Sequence, residues 1–103
     1  MASVMVEYAF EHPKSDEELG KMAKRLDSCL DLRDGAWVRS SLSLDRRRMV
    51  CEFEAPDADS VRDALRSAGQ AFERVWPATV FAVEQYPEPL EKVVKLRART
   101  RAG

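Results

Sequence analysis

Two acidic residues and one arginine fall in alternating stretches, where their spacing could place them on one face of a sheet. Glu7 lies in the first stretch, while Arg39 and Glu52 lie in two later ones. Two carboxylates that face one cavity can serve as general acid and general base, and an arginine beside them can stabilise an anion. Arg39 opposite Glu52 or Glu54 also fits an ordinary cross-strand ion pair, worth about 0.2–1 kcal/mol, which Glu7 could join to balance the arginine.

Two tryptophans accompany these charges. The strand pattern predicts Trp37 and Trp76 on the same sheet face as Glu7, Arg39 and Glu52. Aromatic walls around a few polar groups are typical of small-molecule sites, so we predict a ligand cavity lined by these five residues. Sheet tryptophans can also stack nucleobases, but the basic aromatic pattern of RNA-binding sheets is absent, so nucleic acid is not expected as a partner.

The chain has one histidine, His12, which precedes Pro13 in a predicted loop. Imidazole is a favoured ligand of nickel, and Glu11 could add a carboxylate, so these two residues are the candidate metal ligands. A lone loop histidine is more often exposed to solvent than bound to metal. A Cys–His or Ser–His–acid nucleophile would need the same histidine. The sequence contains no CxxC, HExxH, P-loop or GxGxxG motif and no nucleophile elbow.

The alternation of apolar and polar residues predicts the elements that must position these side chains. Strands are predicted over 4–10, 37–44, 48–54 and 74–83, and helices over 16–30 and 58–68. Ser15 and Glu18 form a capping box before the first helix, and Asp57 is placed to cap the second. Gly69 is suited to the position after the second helix.

This βαββαβ order is the split βαβ arrangement, so we predict a ferredoxin-like α+β fold. Its usual sheet is antiparallel in the order 4-1-3-2, with both helices on one face. Pro77 lies in the last predicted strand and agrees with an edge position, because proline cannot donate to an inner ladder. The second and third strands should pair so that residue numbers sum to an odd value, since a one-residue slip would mix apolar and charged faces.

Two helices cover only one face of such a sheet. Val38, Phe53 and Phe81 are among the apolar residues predicted on the covered face. The other face then carries the two tryptophans, several aliphatic residues and three charges, which form an exposed apolar patch in a monomer. We therefore expect an isologous homodimer that joins sheet to sheet as a dimeric α/β barrel and encloses the ligand cavity.

Length and composition set the broad class. The length of 103 residues indicates one domain, and we assign the ferredoxin-like fold to residues 1–86. The net charge of −1 gives no global preference for polyanions. No apolar run reaches the roughly 18 residues of a membrane span, and no signal peptide is evident, so we expect a cytoplasmic protein with Cys29 and Cys51 reduced. Residues 87–103 are predicted to form a basic tail, which could be a solvated terminus, an arm across a partner subunit, or an arm for an anionic partner. Its cations are Lys92, Lys95, Arg97, Arg99 and Arg101.

The stretch 49–69, MVCEFEAPDADSVRDALRSAG, resembles a family of small ferredoxin-like domains often described as nickel-binding. The resemblance extends over about residues 4–83 and includes the Trp37-Val38-Arg39-Ser40 and Phe72-Glu73-Arg74-Val75 segments. It implies dimers that join through their sheets and suggests nickel as a cofactor. Many members carry a histidine in the second helix, where this chain has Ala64.

Four functions remain open from the sequence. The first is a cytoplasmic homodimer that binds a small molecule between its sheets. The second is a nickel- or transition-metal-binding protein that uses His12 and Glu11. The third is a small dimeric α/β-barrel enzyme with Glu7 or Glu52 as general base and Arg39 stabilising an anion. The fourth is a structural or partner-binding module whose contact is the basic tail.

Overall fold

Four strands and two helices make up residues 1–82, the part of the chain that the computed structural model describes. The elements are β1 (Ala2–Ala9), α1 (Asp16–Asp31), β2 (Ala36–Leu42), β3 (Arg48–Ala55), α2 (Ala58–Ser67) and β4 (Arg74–Ala78). All three strand pairings are antiparallel, and the sheet order is β2-β3-β1-β4. The predicted α+β class, element order and 4-1-3-2 sheet are therefore confirmed. The predicted basic tail, 87–103, lies outside the described residues.

Both helices begin at the predicted caps. The Ser15 hydroxyl accepts a hydrogen bond from the Glu18 backbone N–H, and the Ser15 N–H donates to Glu18 Oε1, both at 3.1 Å. Asp57 Oδ1 accepts from the Ser60 N–H at 2.7 Å. These contacts satisfy backbone donors that a helix N-terminus otherwise leaves unpaired. Gly69 follows α2 with a φ of 69°, a left-handed conformation that glycine adopts without steric cost.

The core lies between the helices and one face of the sheet. Alternate residues of β1 and β3 point to this face, among them Tyr8, Cys51 and Phe53, and all three are buried. From the helices, Leu26 and Leu65 complete the same cluster. The period of two in the strands and of about 3.6 in the helices brings these apolar side chains together. Tyr8 Oη also donates to Gln70 Oε1 at 3.1 Å, which ties the core to the α2–β4 connector.

The register of β2 departs from the prediction at its start. From Arg39 to Leu42 the pairing with β3 has the predicted odd parity, with Arg39 opposite Glu52. A β-bulge between Trp37 and Arg39 shifts the pairing by one residue, so Trp37 lies opposite Phe53. The extra residue of a bulge has no partner. Val38 is consequently 44% exposed, and the prediction that it packs in the core is wrong.

Strand β4 is an edge strand with Pro77 in it, as predicted, but it is shorter than expected. It ends at Ala78, which pairs with Ser3 near the start of β1. Because β1 begins at Ala2, almost no partner strand remains for residues after Ala78. Phe81 is therefore 71% exposed instead of lying under the helices. Neither helix in residues 1–82 has the length and apolar character needed to cross a membrane.

Candidate functional site

The sheet face opposite the helices, called the open face below, carries four of the five predicted ligand residues. One cross-strand row runs Arg39, Glu52, Met5 and Trp76 over β2, β3, β1 and β4. Glu7 lies in the adjacent row, opposite Val50 on β3. Directly opposed residues of antiparallel strands point to the same face, so these side chains share one surface.

Two polar contacts organise this surface. Arg39 Nε lies 3.3 Å from Glu52 Oε1, and the Glu52 side chain is only 12% exposed while that of Arg39 is 69% exposed. The Trp76 indole N–H donates to Glu7 Oε2 at 2.9 Å. The cross-strand ion pair expected from the sequence is therefore present. Glu7 does not join it, because Glu7 is engaged with the tryptophan of the edge strand.

Trp37 does not belong to this surface. The bulge turns its ring to the helix-covered side, where its centroid lies 5.3 Å from that of Phe53. Its indole N–H donates to Ser40 Oγ at 2.7 Å, and Ser40 in turn donates to Cys51 Sγ at 2.9 Å. The prediction that Trp37 faces the same side as Arg39 and Glu52 is wrong, because it assumed an unbroken ladder along β2.

The open face combines paired charges with apolar area. Trp76 is 41% exposed and Val50 is 39% exposed, with the half-buried Met5 between them. Glu7 and Glu52 each already have a partner, so neither of these two carboxylates is a bare base. Exposed apolar side chains beside paired charges make this surface suited to a flat apolar molecule that carries one polar group at its edge.

The candidate metal ligands lie elsewhere, at the end of the sheet where β1 leaves it. Glu11 and His12 line a cleft of about 450 Å³ between the β1–α1 loop, α1 and the α2–β4 connector. Both residues are exposed. Across residues 1–82, no three His, Cys, Asp or Glu side chains gather closely enough to hold a metal ion. The donor set described here therefore does not fit a nickel site within one copy of the chain.

Sequence reasoning missed most of the residues of this cleft. Besides Glu11 and His12, its walls include Phe10, Lys21 and Arg25. Lys21 and Arg25 are four residues apart on α1, and like charges at this spacing repel each other across a helix turn. That spacing was the available signal that this helix face could receive an anion.

The order of elements and the sheet define a small α+β protein of the split βαβ class. Within this class, a family model identifies a particular family. The model for "Nickel responsive protein SCO4226-like" matches residues 5–77. The chain belongs to that family, as the resemblance in the 49–69 stretch implied.

One solved structure extends the comparison. The crystal structure of SCO4226 from Streptomyces coelicolor A3(2) is similar to this chain with a TM-score of 0.72 and 15% identity. The match covers 79% of this chain and 100% of that one. At this identity the likeness establishes the fold alone. No curated protein matches the chain.

Proposed function

We propose that this protein is a cytoplasmic homodimer that binds a small molecule between two open faces. The observation that carries the proposal is the open face itself, on which Trp76 and Val50 remain exposed beside paired charges. Face-to-face sheets pack about 10 Å apart with their strands roughly aligned. Burying this surface against a second copy would remove the apolar area from water without leaving either glutamate unpaired.

The positions of the charges favour one orientation of the two-fold axis that relates the two copies. Arg39 lies on the β2 edge and Trp76 on the β4 edge of the same row, about 14 Å apart across three strand spacings. A two-fold axis perpendicular to the strands would set Arg39 over the second Arg39, which like charges oppose. An axis parallel to the strands sets Arg39 over the partner's Trp76, and an arginine over an indole ring is attractive.

This arrangement makes each cavity composite. One copy supplies Arg39 and Glu52, and the second copy supplies Trp76 and Glu7. Met5 lies within the row and Val50 in the adjacent row, and both would seal the centre of the interface. A small aromatic anion suits such a cavity, because its ring can stack on the tryptophan while its charge meets the arginine.

The oligomeric state tests the proposal first. Native mass spectrometry of the full chain, purified without added metal, should give a dimer. Val50→Glu should give monomers, because it places a charge at the centre of the buried face. Leu32→Glu is the matched control, since Leu32 is an apolar residue 84% exposed at the C-terminus of α1. A monomeric wild type, or a Val50→Glu variant that stays dimeric, would overturn the proposal.

Nickel is the second candidate, because the family is described as nickel responsive. The same spectra, repeated after incubation with nickel, report any bound ion as added mass. Wild type and His12→Ala should differ if the predicted ligand His12 holds the ion. Equal metal content in both proteins would exclude His12 as a ligand.

A further inference from the structure

The cleft at the end of the sheet lies away from the open face and requires no second copy. Phe10 and Met22 give the cleft an apolar lining, and the Phe10 ring stacks on Tyr8 with centroids 5.8 Å apart. Its volume of about 450 Å³ is within the range that holds small organic molecules. The structure therefore offers a site that the proposed dimer does not use.

The rim of the cleft is predominantly cationic. Lys14, Lys21, Arg25 and His12 line it, with Glu11 as the one lining carboxylate among the described residues. The Arg25 side chain makes no hydrogen bond or ion pair with any other residue in 1–82. An unpaired guanidinium at the mouth of an apolar cleft provides up to five donors for an incoming anion.

The two lysines are paired only from outside the cleft. Lys14 Nζ lies 3.7 Å from Glu18 Oε2, and Lys21 Nζ lies 3.4 Å from Glu17 Oε1. Such exposed pairs contribute little to stability, so a lysine can leave its glutamate for a ligand at small cost. Lys14 also lies 5.4 Å from the centre of the Phe10 ring, above the apolar wall.

The walls are held in place before any ligand arrives. From the β2–β3 turn, Arg47 donates to Glu11 O at 3.1 Å, and Arg46 donates to Lys14 O and to Asp16. On the opposite side, Gln70 Nε2 donates to Met22 O at 2.9 Å. A cleft whose loop is held by the β2–β3 turn, and whose connector is held to α1, loses little conformational freedom on binding.

We infer that this cleft binds a small organic anion, a carboxylate or phosphate attached to an apolar body. The apolar part lies against Phe10 and Met22, and the anionic group meets Arg25 and Lys21. Inorganic phosphate alone would use only the rim, so an apolar body should increase the affinity.

An ¹⁵N NMR titration of the full chain with phenyl phosphate, benzoate and inorganic phosphate tests this inference. Phenyl phosphate or benzoate should shift the amides of Phe10, His12 and Ala71 saturably, and more tightly than inorganic phosphate. The tighter of the two aromatic probes identifies the anionic group. Arg25→Gln should weaken binding about tenfold, as expected for loss of a charge-assisted hydrogen bond. Lys21→Gln should weaken it as well.

Arg66→Gln is the matched control, because Arg66 is an exposed arginine on α2 outside the cleft. It should bind the probes as the wild type does. Unchanged affinity in both Arg25→Gln and Lys21→Gln would overturn the inference, as would shifts confined to the open face. It would also be overturned if neither phenyl phosphate nor benzoate bound more tightly than inorganic phosphate. These readouts do not depend on dimerisation, so failure here leaves the proposed homodimer standing.

Discussion

The hydrogen-bonded series from Trp37 through Ser40 to Cys51 shows what single residues contribute to the covered side of the sheet. Cys51 has no exposed surface, and its burial raises the pKa of the thiol to about 11. The hydrogen bond from Ser40 acts in the opposite direction but does not overcome burial. Because thiolate is the reactive form, Cys51 is an inert packing residue and not a nucleophile.

A thiol assay tests this assignment. Relative to an ordinary value of 9.0, a pKa of about 11 makes Cys51 thiolate about a hundredfold scarcer near pH 8. In the native protein, one cysteine, the half-buried Cys29, should therefore react rapidly with Ellman's reagent. In denaturant, both cysteines should react rapidly. Cys29→Ser should abolish the fast phase. Equal rates for both cysteines in the native protein would contradict the buried assignment.

The raised pKa also predicts the direction of alkaline destabilisation. The folded state favours the neutral Cys51 thiol. The contribution of this thiol to stability is therefore complete below its unfolded-state pKa of about 9, and it is lost as the pH rises toward the folded-state pKa of about 11. Cys51→Ala should reduce this part of the pH dependence, whereas Cys29→Ala should leave it unchanged.

At the scale of elements, the N-cap of α2 is a titratable structural contact. Asp57 accepts from both the backbone N–H and the hydroxyl of Ser60, at 2.7 and 2.8 Å. These bonds lower the pKa of Asp57. The carboxylate therefore stabilises the fold above its unfolded pKa, and this contribution is lost as pH falls through the lower folded value.

Thermal unfolding between pH 7 and pH 3 measures this contribution. Asp57→Ala should lower the melting temperature at pH 7 by a few degrees, as expected for loss of a cap. The difference from wild type should shrink as the solution is acidified. Asp63→Ala provides the control, because Asp63 is exposed on the same helix and caps nothing. A pH-independent Asp57→Ala effect would mean that the carboxylate charge does not matter.

At the scale of the whole molecule, the proposed dimer makes a prediction about shared sites. Each cavity would combine Arg39 of one copy with Trp76 of the other. Homodimers of Arg39→Ala and of Trp76→Ala should both lose binding of the probe 1-anilinonaphthalene-8-sulfonate while remaining dimeric. Mixed dimers of the two variants should regain half of the wild-type sites, because one of their two cavities is intact.

Calorimetric stoichiometry on purified mixed dimers gives the measurement. If Arg39 instead faced the second Arg39, each cavity of a mixed dimer would lack one group, and no intact site would return. Unmixed dimers of each variant serve as the controls, and circular dichroism confirms that every variant is folded.

Much of the fold could be predicted because its signals are local. The capping box at Ser15, the cap at Asp57 and the glycine after α2 involve residues three or four positions apart. The alternation in β1 and β3 separates the covered face from the open face in the same local way. For the candidate site, this was enough to place Glu7, Arg39, Glu52 and Trp76 on one surface.

The sequence by itself thus determined the element order, because that order depends on patterns that neighbouring residues create. The sheet order followed from the usual arrangement of a βαββαβ chain, and the family followed from the resemblance of the 49–69 stretch. Only the tertiary structure decided the bulge after Trp37, which packs one tryptophan against the core, because a ladder irregularity depends on how two strands meet. The cleft around Arg25 likewise exists only because of the tertiary structure. Its walls come from three separate segments of the chain, and no spacing along the sequence records their distance in space.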